Sequence, residues 1–116
     1  MAAYPYVIEP CIAKDVTGTP TLLPGSEVPT NEEWNCTVRI TNTNTVQALV
    51  TLYLGKTATY TDGIARLSDE PFLPKQSMDV EVSAPLCELW RWFHRASVTG
   101  VHVSLLGTKR KVDEAL

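Results

Sequence analysis

His94 and His102 are the two imidazoles of the chain. A pair of neutral imidazoles can ligate a metal or pass a proton, and the predicted strands around them are consecutive. A metal site needs three or four protein ligands, however, and no third one stands at a suggestive spacing. Both histidines are therefore expected at a surface or an interface. Gly55-Lys56-Thr57 has the ending of a phosphate loop but lacks its earlier glycine and a following helix. No GxSxG elbow or serine–base pairing is present. The three cysteines, Cys11, Cys36 and Cys87, are odd in number and widely spaced, which fits neither a disulfide framework nor a CxxC zinc site. They read as buried free thiols of a reducing compartment. Asn35-Cys36-Thr37 matches a glycosylation sequon, but the opening MAAYPYVIEPCIAKD has no leader pattern, so the match reads as chance. The expectation is a protein with no enzymatic activity, no metal and no cofactor.

One stretch remains that could bind something. Leu89–Arg95, LWRWFHR, interleaves aromatics with arginines. Such a pattern can stack bases and clamp phosphates, or it can be a strand covered on both faces. The formal net charge of -3 gives the chain no overall attraction to nucleic acid or to an anionic membrane. In a strand, Trp90, Trp92 and His94 fall on one face, and Leu89, Arg91, Phe93 and Arg95 on the other. The arginines mark their face as the outer one, which sends the tryptophans into the core. Outward apolar and arginine side chains are what a subunit interface selects. Leu49 and Tyr53 fall on the polar side of an earlier strand and join the same set.

The elements that must carry these residues are strands. At 116 residues the chain makes one domain of ordinary size, and 44% hydrophobic with 20% charged residues describes a folded protein. No apolar run approaches a membrane span. Short alternating runs between turn clusters predict an all-β fold: a single antiparallel β-sandwich, jelly-roll-like, of about eight short strands. Cys36, Val38 and Ile40 alternate with Thr37, Arg39 and Thr41. The TNTNT turn follows, then Ala48, Val50, Leu52 and Leu54 alternate with Leu49, Thr51 and Tyr53 up to Gly55. This pair is expected to form a β-hairpin or meander. A short strand is expected at Ala65–Ser68, then an edge or irregular stretch bracketed by Pro71 and Pro74. Further strands are expected around Met78–Val82, Cys87–Ala96 and Val101–Leu106. Residues 1–27, rich in proline, are expected as an extended arm or edge strand. Tyr4 and Tyr6 would be its contacts with a neighbour. Residues 28–107 form the sandwich and 108–116 a solvated tail.

Val38–Gly55, VRITNTNTVQALVTLYLG, resembles a family of small β-sandwich proteins encoded by tailed bacteriophages, in which a strand ending in a Thr-Asn-Thr turn leads to a strand of the form VTLYL. Val28-Pro29 is similar to that family's Val-Pro start, and GVHVSLLG, Gly100–Gly107, to its closing strand. The resemblance spans roughly Val28–Gly107 and implies a virion component without enzymatic activity. It implies a capsid decoration (cement) protein that self-associates, most plausibly as a trimer on three-fold sites. Its partner would be the major capsid protein or another virion protein, after assembly in the host bacterial cytoplasm. A tail, collar or head-fibre component is the alternative within the particle. Outside it, a carbohydrate-binding sandwich would need Trp34, Trp90 or Trp92 exposed. A single-stranded nucleic-acid binder would need a basic stacking face.

Overall fold

The computed structural model describes residues 6–7, 11–14, 20–57, 59, 61, 63–82 and 85–111, the first two stretches by their backbone alone. These residues form β1 (Tyr6–Val7), β2 (Cys11–Lys14), β3 (Thr21–Leu22), β4 (Glu32–Asn42), β5 (Ala48–Gly55), β6 (Ile64–Phe72), β7 (Ser77–Glu81), β8 (Arg91–Ala96) and β9 (Val101–Lys111). The fold is all-β, with two antiparallel sheets arranged as a β-sandwich requires. In the first sheet β9 has β4 on one side and β1 and β2 on the other, and β7 lies beyond β4. The second sheet runs in the order β3, β8, β5, β6.

Strict alternation makes these strands. In β4 the inward set is Trp34, Cys36, Val38 and Ile40, each buried, while Glu33, Asn35, Thr37 and Arg39 face outward. The register sets Val38 between Val80 of β7 and Leu105 of β9. Val101, Val103 and Leu105 supply the inward side of β9, and Val50, Leu52 and Leu54 that of β5. Residues of both sheets thus share one apolar cluster, with Trp92 and Phe72 its largest fully enclosed side chains. Burying each such side chain is worth about 1.5–3 kcal/mol, and this is what holds the sheets face to face.

Several expectations are corrected. The strands on either side of TNTNT are not a hairpin: β4 lies in the first sheet and β5 in the second. Alternation reports only that each strand buries one face, and strands of opposite sheets bury theirs against each other. The crossing is held by Asn42, which is fully buried. Its Nδ2 donates to the carbonyls of Val46 (2.9 Å), Phe72 (3.1 Å) and Leu73 (3.2 Å), and its Oδ1 accepts from Asn44 N (3.0 Å). The asparagine-rich turn does satisfy its own backbone, as its composition suggested.

The described part of residues 1–27 does not leave the domain. Tyr6 and Val7 pair with Lys109 and Thr108, Cys11–Lys14 pair with β9, and Thr21 and Leu22 pair with His94 and Phe93. Leu23 is fully buried. At the other terminus β9 continues past Gly107 to Lys111, with Arg110 opposite Glu33 and Lys111 opposite Glu32. The basic run TKRK is therefore a strand end, its last two residues opposite glutamates and Lys109 opposite Trp34. Gly107 permits this: its φ is 142°, and a methyl group there would collide with the Asn35 carbonyl. β6 is an edge strand carrying Pro71, as expected, but it starts earlier and ends later than Ala65–Ser68.

Candidate interaction surface

β8 shows how the second sheet builds its outer face. The strand begins at Arg91, because residues 87–90 turn instead of extending, and Leu89 takes a left-handed φ of 77°. Trp92 is fully buried and faces the interior as expected, and His94, 2% exposed, faces it as well. Trp90 is only half-buried, packed at the border of the core. Phe93 points the other way, toward the outer face, yet it is 4% exposed and stands outside the interior cluster. The expectation of an exposed Phe93 is thus corrected. Its cross-strand neighbours are Tyr53 of β5, half-buried, and Leu22 of β3, exposed. Directly opposed side chains on one face lie close enough to touch. Phe93 is thus buried between apolar cross-strand neighbours on the outer side, outside the main core.

The arginines flanking Phe93 are tied down. Arg95 Nη2 meets Asp69 Oδ1 at 2.8 Å and Thr51 Oγ1 at 3.2 Å. Thr51 Oγ1 also accepts from Asp69 N at 3.0 Å, so the bridge spans β8, β5 and β6. Asp69 sits where the β5–β6 register slips, with φ 47°. The slip is what turns its carboxylate toward Thr51 and Arg95. At the other end Arg91 Nε donates to the Leu89 carbonyl at 3.0 Å, and its Nη2 lies 3.6 Å from Glu27. Only 11% of the Arg91 side chain is exposed. Beside it, Lys56 Nζ sits 5.7 Å from the centre of the Trp90 ring, within cation–π range.

Of the residues expected to contact a partner, Leu49, Tyr53, Phe93, Arg91 and Arg95 do converge on this one face, and Leu89 is exposed at its border. Leu22 joins them unexpectedly, placed by a two-residue strand too short for any periodicity to announce. Tyr6 is located only by its backbone pairing with Lys109, and Tyr4 lies outside the described residues.

Other sites dissolve. His94 lies on the inner side of the second sheet and His102, half-buried, on the first, so the two imidazoles are not neighbours on one sheet. His94 is accordingly not a surface histidine. Among the described residues no three His, Cys, Asp or Glu side chains gather as a metal site would need. Cys36 is a buried free thiol but Cys87 is an exposed one, against expectation, because it precedes the turn before β8. Trp34 and Trp92 are buried, and Trp90 is half-buried with Lys56 Nζ near its ring, so none is the fully exposed tryptophan that a sugar platform uses. Among the described residues no helix is long and apolar enough to cross a membrane.

The outer face of the first sheet is of a different kind. Arg39 and Asp79 pair across β4 and β7 through two hydrogen bonds of 2.9 and 3.1 Å, and Arg110 meets Glu33 at 2.6 Å. The Arg39 hydrogen bond holds the Asp79 carboxyl below the usual aspartate range and lifts the guanidinium above its own. Of the large exposed hydrophobic side chains among the described residues, Leu22 and Leu49 point out of the second sheet and Leu89 borders it. Ile64 pairs with the inward Leu54 at the end of β6, and Val46 and Leu73 lie in connections between the two sheets.

Compared with known proteins, the chain finds no match among family models, curated proteins or solved structures.

Proposed function

We propose that this chain is a non-enzymatic structural protein of a tailed-bacteriophage virion, a capsid decoration protein that attaches through the outer face of its second sheet. The observation that carries the proposal is the contrast between the two outer faces. Both carry ion pairs, but only the second also exposes large apolar side chains, Leu22 and Leu49, with Leu89 at its border. Scattered exposed hydrophobics mean little by themselves, but a set confined to one side marks a contact surface. The resemblance of Val38–Gly55 to small phage sandwich proteins supplies the biological setting.

The strand pairing supports the finer, jelly-roll reading. β2 pairs with β9, β3 with β8, β4 with β7 and β5 with β6. The partners nest, as in one long antiparallel hairpin folded over into two sheets. Double-sheet jelly rolls of this order recur in viral capsid and lectin domains. The buried tryptophans favour the former.

Quantitative mass spectrometry of purified particles of the encoding phage tests the proposal. Decoration predicts a copy number matching shell lattice sites. A few copies per particle would place the chain in the tail, collar or head fibre instead, and absence from the particle would overturn the virion reading.

A further inference from the structure

We draw no further inference here: the strongest candidate, the apolar surface patch of Val46 and Leu73 on two connections that the Asn42 amide ties together at one end of the sandwich, carries nothing because the structure does not show what covers it.

Discussion

The two outer faces of this molecule solve the same problem in opposite ways. The first covers a five-stranded sheet and the second a four-stranded one, and both must be compatible with water. The first sheet does it with threonines, serines and cross-strand ion pairs, Arg39 with Asp79 and Arg110 with Glu33. The second sheet encloses a phenylalanine on its outside, between Tyr53 and Leu22 of the neighbouring strands, and pins arginines to either side. Ion pairs exposed as those of the first sheet are contribute little, because water screens them and ordering two long side chains costs entropy. The second face gains stability from apolar packing outside the core. The arginines of that face are matched by acids of the same chain, Arg95 by Asp69 and Arg91 by Glu27. The contrast teaches that the alternation of a strand says which way a side chain points, not whether it is exposed.

The largest expected effect comes from breaking the packed face. Phe93→Ala should cost about 3 kcal/mol of unfolding free energy in urea titration, close to a core truncation despite its outward direction. Ser104→Ala, at the middle of the opposite face, should stay within about 0.5 kcal/mol. Equal effects would erase the distinction between the faces. A smaller loss follows from Arg95→Ala, about 1 kcal/mol after allowing for its partial exposure. Its specific signature is faster hydrogen exchange in β6, because Arg95 and Thr51 together anchor Asp69 at the register slip.

The smallest effect belongs to the first sheet. Arg39→Ala should lower the urea midpoint at neutral pH only slightly, since both partners of the pair are exposed. Its trace is a matter of pH. The Asp79 carboxyl is lowered in the folded state, chiefly by the hydrogen bond from Arg39, against slight desolvation. Such a group contributes stability above its unfolded pKa and loses it as pH falls through the lowered folded value. Midpoints of wild type and Arg39→Ala should therefore converge in acid, below the ordinary aspartate range. Divergence there would mean that Arg39 acts through something other than Asp79.

Much of the fold was legible because period-two patterning is a local signal. The inward sets of β4, β5, β7 and β9 are those the alternation marks. What alternation lacks is any record of which sheet a strand joins, so β4 and β5 looked like a hairpin and belong to opposite sheets. β3 was illegible for its brevity, and with it the place of Leu22. The stretch Leu89–Arg95 was half legible. Its direction followed from spacing, but its start depended on the turn at Leu89, and the burial of Phe93 depended on neighbours from β3 and β5. The bridge from Arg95 to Asp69 has no sequence signal at all, because a register slip places its acid.

Backbone-amide hydrogen exchange, measured on the free chain and on the chain bound to particles of the encoding phage, asks the two faces directly which one meets the partner. The account predicts added protection on binding at Leu22, Leu49, Tyr53, Phe93 and Arg95, with Thr37, Arg39, Ser104 and Arg110 unchanged. Protection confined to β4 and β9, with the second sheet silent, would contradict it.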